Sequence, residues 1–313
     1  LPVIAAALVT NTTLSSTEWV KNGDAIEVTA TVTDGGTLDS VTCNLTAFGG
    51  GATEAPDGPA VNDVYTWAFT PVAGTGDGPV SAIITAVDDL GNTATASDDI
   101  MADNTAPQPL TGVVAMPSHK AEDDGNGGTN HRNQIVVSWD DPTGLDANFA
   151  GVEFRYVTEG GYPEFTTGVP GTPDLPTAPA DVSQGTAAFT AAGTTIEWYL
   201  LPDGTTPIDR DVYALAGFVY DQAGNYSETE GNGGNEAVST SYYLGDIGPD
   251  PQLGDGLVTV IPDINALGNA YGTVTGDGAF DEFVDVGPTL DYTRFGVPAP
   301  DGEIGFQDLM IFA

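Results

Sequence analysis

The sequence predicts a mainly β protein: two tandem β-sandwiches followed by a small C-terminal module with short α-helices. Three observations predict it. Forty-one glycines and 22 prolines punctuate the 313 residues, so no long helical pattern survives and many short strands joined by turns remain. Between these breakers lie runs of alternating sequence rich in β-branched residues. From residue 245 onward the texture changes to an imperfect acidic repeat that trails into short apolar runs. A chain of this length has room for two or three domains.

Residues 1–107 are the first expected domain. Residues 25–33, 64–69 and 80–87 alternate or cluster β-branched side chains as half-buried strands do, and Asp88-Asp89-Leu90-Gly91-Asn92 follows as a turn. The apolar residues 1–9 read as its first strand, with addition to a neighbouring copy's sheet edge as the alternative. The single Cys43 excludes an internal disulfide framework and reads as a half-buried small residue. The stretch from Lys21-Asn22-Gly23-Asp24 to Asp103-Asn104-Thr105-Ala106-Pro107 resembles the immunoglobulin-like repeats of bacterial secreted surface proteins.

Residues 108–244 are the second expected domain. Residues 134–142, 151–156 and 213–220 look like the B, C and F strands of a fibronectin type III domain, which implies a sandwich with Trp139 in its core. Residues 160–195 are rich in Gly, Pro and Thr and longer than that family usually has. Asp221-Gln222-Ala223-Gly224-Asn225 repeats the Asp-x-x-Gly-Asn turn of the first domain. Asp opens such turns by bonding its own backbone, and Gly accepts positive φ. A cation clamped by Asp88, Asp89 and Asp103 is a further, less favoured reading of the carboxylates in this region.

Residues 245–313 are the third expected domain. One copy of the repeat reads Gly245-Asp246-Ile247-Gly248-Pro249, then Asp255-Gly256, then Asp263. The other reads Asp285-Val286-Gly287-Pro288, then Asp301-Gly302-Glu303, then Asp308. Carboxylates around an Asp-Gly bend, followed by an apolar helical run, follow the logic of a calcium loop. Helices are expected over 264–271 and 306–312. The region resembles a dockerin domain, with two EF-hand-like calcium loops and one helix after each. The resemblance implies Ca2+ as cofactor. In the second loop Asp301 takes position 5, Gly302 the bend, Glu303 lends its carbonyl at position 7 and Asp308 closes the loop. Val297 and Ala299 then fall at positions 1 and 3, where neither ligates through its side chain, and Asp285 is the upstream substitute. In the first loop Asp255 and Asp263 play the matching parts, with Asp246 and Asp250 as substitutes.

The charge balance points the same way. Forty-five acidic residues face six basic ones, for a net charge of −39. No basic patch is available for nucleic acid or an anionic membrane surface, and no apolar run reaches a membrane span. Self-repulsion on this scale is costly unless cations bind. No nucleophile elbow, phosphate loop or zinc-protease motif occurs. His119 and His131, with Glu122, Asp123 and Asp124 between them, read as parts of a solvated Gly/Asn-rich loop with no ligand signature.

These features predict a noncatalytic extracellular protein. The leading expectation is a calcium-stabilised subunit of a surface filament, sheath or lattice that joins head to tail with copies of itself. The alternative is an adhesion or carbohydrate-binding protein that docks, as dockerins do, on a cohesin-like scaffold.

Overall fold

The computed structural model describes residues 1–123, 129–160, 175–229, 233–248 and 256–312. It divides into two compact units, one of residues 1–107 with 220–226, the other of 108–219 with 227–313.

The first unit is a sandwich of two sheets. Strands β1 (Val3–Asn11), β3 (Ile26–Thr33) and β5 (Val64–Phe69) make one sheet in the order β1-β3-β5. Strands β2 (Trp19–Val20), β4 (Leu38–Asn44), β6 (Gly78–Asp88) and β7 (Thr93–Ala102) make the other, in the order β2-β7-β6-β4. Alternation does the sorting. In β3 the residues Ile26, Val28, Ala30 and Val32 are buried while their neighbours are not, because successive side chains leave opposite faces of a strand. They meet Trp67, Ile84 and Ile100 from the other strands. Cys43 is fully buried in this core as a free thiol, and burial pushes its pKa up to about 11. Residues 1–9 do enter the first sheet: β1 pairs antiparallel with β3.

The second unit opens with another sandwich. One sheet holds β8 (Val114–Asp123), β9 (Thr129–Ser138) and β12 (Thr195–Trp198) in the order β12-β9-β8. The other holds β10 (Phe149–Thr158), β11 (Thr186–Ala191), β13 (Val212–Asp221) and β14 (Glu236–Thr240) in the order β11-β10-β13-β14. Trp139 is a core residue as expected, 4.9 Å from Phe154 between ring centroids. The Tyr213 hydroxyl donates to the Asp209 carbonyl at 3.1 Å, a corner contact typical of immunoglobulin-like sandwiches. Gly217 lies in the middle of β13 because a Cβ there would stand 2.6 Å from Leu110 Cδ2 and 2.8 Å from Phe154 Cζ. Gly217→Ala is expected to destabilise this sandwich by about 1–3 kcal/mol through overpacking, as measured by urea unfolding.

Six strands escape the sequence pattern: β2, β7, β8, β11, β12 and β14. Pro117 interrupts β8, which a sheet tolerates at an edge, and β8 is the edge strand. Strand β11 lies inside the segment that read as a long insertion and is built largely from Thr and Ala, and β12 begins at that segment's last residue. Residues 161–174 of that insertion lie outside the described residues.

A third hydrophobic core closes the second unit. Tyr242, Leu244, Ile247, Leu267, Val284, Val286, Ile304 and Phe312 are buried together. Two short helices serve it, α1 (Asn265–Ala270) and α2 (Phe306–Phe312), each starting close to where the sequence places it. Among the described residues no helix is long and apolar enough to cross a membrane.

Candidate metal centre

Two loops of the third core share one hydrogen-bond plan. Asp308, which opens α2, accepts through Oδ1 from the Val286 and Gly287 amides at 2.9 and 2.8 Å. Its Oδ2 accepts from Gly305 N at 2.7 Å. Asp263, before α1, accepts through Oδ1 from the Ile247 and Gly248 amides at 3.0 and 2.8 Å. Its Oδ2 accepts from Thr259 N at 2.6 Å. The upstream aspartates match as well. Asp285 Oδ2 accepts from Gly302 N at 2.9 Å, and Asp246 Oδ2 from Gly256 N at 2.8 Å. The two bend glycines have φ of +81° at Gly256 and +82° at Gly302, the left-handed region that glycine enters without strain. The repeat in sequence is therefore a repeat in hydrogen bonding at these described positions.

The shared Asp-[Ile/Val]-Gly-Pro motif has a steric reason. A Cβ on Gly287 would stand 2.8 Å from the Asp308 amide nitrogen, and one on Gly248 would stand 2.0 Å from Pro262 Cγ. Each glycine lets its strand-like segment reach the turn that carries the closing aspartate.

Val297 and Ala299 do not line a loop. Both are buried in the core. Residues 288–299 fold back on themselves, with Leu290 N donating to Val297 O at 2.8 Å and Ala299 N to Pro288 O at 2.7 Å. This excursion is the longer path that returns Asp301 and Gly302 to Asp285.

The electrostatics of the second loop are unusual. Asp285 and Asp308 are 5% and 0% exposed. Asp285 Oδ1 is buried with no hydrogen-bond partner. Burial first, then the charge of Asp308 and more weakly of Asp301, push the Asp285 carboxyl up to about 7. Burial also raises Asp308. Unpartnered buried carboxylate oxygens are expensive unless a cation or proton compensates them, and a hard divalent cation takes oxygen donors, although among the described residues Asp285, Asp301 and Asp308 do not group with carboxylate oxygens all within 4.8 Å of one another. Asp301 is half-buried, with Oδ1 accepting from Glu303 N at 3.0 Å. The Glu303 side chain is exposed, so its part in any site falls to its carbonyl.

In the first loop Asp246 is 1% and Asp263 0% exposed. Here a protein cation is present. Arg210 Nη1 lies 3.7 Å from Asp246 Oδ2, and its Nη2 donates to the Asp246 carbonyl at 2.5 Å. Asp250 and Asp255 lie outside the described residues.

The first unit holds a second carboxylate pair. Asp103 and Asp221 offer oxygens within 4.8 Å of one another and are both buried. Asp221 heads its Asp-x-x-Gly-Asn turn as expected: Asn225 N and Nδ2 both donate to its carboxylate at 2.8 Å. Asp88 does the same for Asn92, at 2.8 and 2.7 Å. The structure corrects the grouping of Asp88, Asp89 and Asp103. The whole of β7 separates Asp88 from Asp103, so they sit at opposite ends of the β6–β7 hairpin.

His119 and His131 are also corrected. They lie on paired strands β8 and β9, with ring centroids 4.8 Å apart and Tyr243 5.4 Å from His119. Only spacing across a hairpin could have signalled this, and the Gly/Asn-rich sequence between them suggested a loop. Burial, then the neighbouring His131, holds the His119 pKa below its ordinary 6.5. A base with a depressed folded pKa binds fewer protons folded than unfolded, so its contribution is intact above about pH 6.5 and declines as pH falls below it. Thermal unfolding is expected to show this acid-side loss, and His119→Phe to reduce it.

No protein-family model matches the chain. A stretch of 98 residues is 37% identical to halomucin of Haloquadratum walsbyi (strain DSM 16790 / HBSQ001), covering 29% of this chain and 1% of that protein. Among solved structures, the FN1-FN3 domains of chicken CNTN1 align over 74% of this chain and 62% of theirs, with 12% identity and a TM-score of 0.35. A tetra-tandem repeat from the extending region of a large adhesion protein aligns over 76% of this chain and 49% of its own, with 13% identity and a TM-score of 0.23.

Proposed function

We propose that this chain is a noncatalytic, extracellular structural protein, a calcium-stabilised subunit of a surface filament, sheath or lattice. The observation that carries the calcium part is the buried, unpartnered Asp285 Oδ1 beside Asp308. Asp285, Asp301 and Asp308, with the Glu303 carbonyl, are the donors that would hold the ion. Calcium would supply there the positive charge and the multiple oxygen coordination that let two buried carboxylates stay ionised. The sandwiches act as spacers. The acidic composition and the stretch shared with halomucin support a secreted setting. Three modules are read with boundaries near residues 107 and 244.

The assembly part is tested by light scattering and negative-stain imaging of the purified protein with calcium and after EGTA. Ordered polymers that dissolve on chelation are expected. Monomers in both conditions overturn self-assembly. The paired loops with trailing helices then favour the second reading, a module that docks on a cohesin-like scaffold while the sandwiches bind polysaccharide or a cell surface.

Charge makes a separate prediction. At −39 the folded chain repels itself, and screening tightens from about 10 Å at 0.1 M salt to about 3 Å at 1 M. The thermal midpoint is expected to rise with sodium chloride, and millimolar calcium to achieve a comparable rise at far lower ionic strength.

A further inference from the structure

We infer that Asn44 is a site of N-linked glycosylation, and that the fold closes the other two acceptor triplets of the chain to it. The inference rests on the extracellular setting proposed above and goes beyond it by assigning a covalent modification to one residue. Asn-x-Ser/Thr triplets stand at Asn11-Thr12-Thr13, Asn44-Leu45-Thr46 and Asn225-Tyr226-Ser227. The triplet alone is a weak signal, since only a surface asparagine with a free amide can carry a bulky sugar. The structure separates the three.

Asn11 is fully buried. Its Nδ2 donates to the Trp19 carbonyl at 3.0 Å and to Asp24 Oδ2 at 2.7 Å, so both amide hydrogens are committed inside the first unit. Asn225 is committed in the same way, with Nδ2 donating to the Asp103 carbonyl at 3.0 Å and to Asp221 Oδ2 at 2.8 Å. A sugar on either nitrogen replaces an N–H by an N–C bond. That removes a hydrogen bond and leaves its acceptor unpaired. Asn44 differs. It is the last residue of β4, an edge strand. Its Oδ1 accepts from Thr46 N at 3.0 Å and from Thr46 Oγ1 at 2.7 Å. Among the described residues its Nδ2 has no hydrogen-bond partner, and that atom is not one of the buried orphans of the fold, so it meets solvent. Thr46, whose hydroxyl completes the triplet, is exposed. Leu45 between them is buried, and its amide donates to the Gly51 carbonyl at 2.9 Å, which pins the turn.

The co-reactant is a saccharide activated on a lipid-linked phosphate. Asn44 Nδ2 bonds to the anomeric carbon, and the bond from that carbon to the phosphate oxygen breaks, leaving its electron pair on the phosphate. One Nδ2 proton passes to a base of the transferring enzyme, and nothing is oxidised or reduced. The product keeps both bonds from Thr46, because they use the oxygen of the amide and the sugar uses its nitrogen. A glycan here covers the end of β4, and a covered strand edge does not pair with another chain. A joint between copies then lies elsewhere on the surface.

The test is peptide mapping by mass spectrometry of the protein recovered from the surface and medium of the cells that naturally make it. The peptide holding Asn44 is expected to carry a saccharide mass placed on that residue by fragmentation, and the peptides holding Asn11 and Asn225 to carry none. Thr46→Ala, at an exposed position, is expected to abolish the modification, and Thr46→Ser to keep it. An unmodified Asn44 in the secreted protein, or a saccharide that persists in Thr46→Ala, overturns the inference and leaves the extracellular setting standing. A saccharide on Asn11 or Asn225 overturns the selection by the fold. Protein found only inside the cell overturns the extracellular reading and the inference with it.

Discussion

Arg210→Ala is expected to destabilise the second unit by about 3–5 kcal/mol, the usual cost of removing one member of a buried ion pair. The substitution leaves Asp246, 1% exposed, as a buried carboxylate whose nearest fixed cation is gone. It also removes the donor to the Asp246 carbonyl and the stack on Tyr242. Replacing both partners is expected to cost much less, because a buried pair exchanged for groups of similar volume often breaks even. Urea unfolding of Arg210→Met, Asp246→Asn and the double variant measures the coupling. Additive losses would show that the pair contributes only through its separate contacts.

Calcium is expected to stabilise the same unit by about 2.7 kcal/mol at a hundredfold excess over Kd and about 4.1 kcal/mol at a thousandfold. Because roughly 2–4 °C or more follows each kcal/mol in a unit of this size, the corresponding transition moves up by about 5 °C or more. The cause is local. Metal-free, the second loop buries Asp285 and Asp308, and although backbone amides donate to both, Asp285 Oδ1 has no hydrogen-bond partner. Asp285→Asn removes one of those charges. It is expected to raise the midpoint of the metal-free protein slightly and to abolish the calcium response. Calorimetric scans in EGTA and in calcium distinguish this from a general salt effect, which would persist in the variant.

Much of the fold was legible where alternation was strong. Strands β3, β5, β6, β9, β10 and β13 carry β-branched or aromatic residues on one face, and the structure places them where that pattern does. Strands β8 and β11 were not legible, because Pro117 and a run of Thr and Ala dilute the signal that burial gives, and the four residues of β12 are too few to show alternation. The loops of the third core show a different limit. Spacing from Asp301 to Asp308 set the register of the second loop, but it put Val297 and Ala299 where aspartates were needed. The excursion at 288–299, which no local periodicity announces, brings Asp285 to Gly302 instead. Arg210 was invisible for the same reason: it lies 36 residues before Asp246, and only the folded chain sets it there. His119 and His131 likewise became neighbours through strand pairing.

The most direct measurement is a crystal structure of the intact chain soaked in calcium, read by anomalous diffraction. A cation is expected about 2.3–2.6 Å from oxygens of Asp285, Asp301 and Asp308. The absence of an ordered ion at Asp285 would contradict the calcium reading.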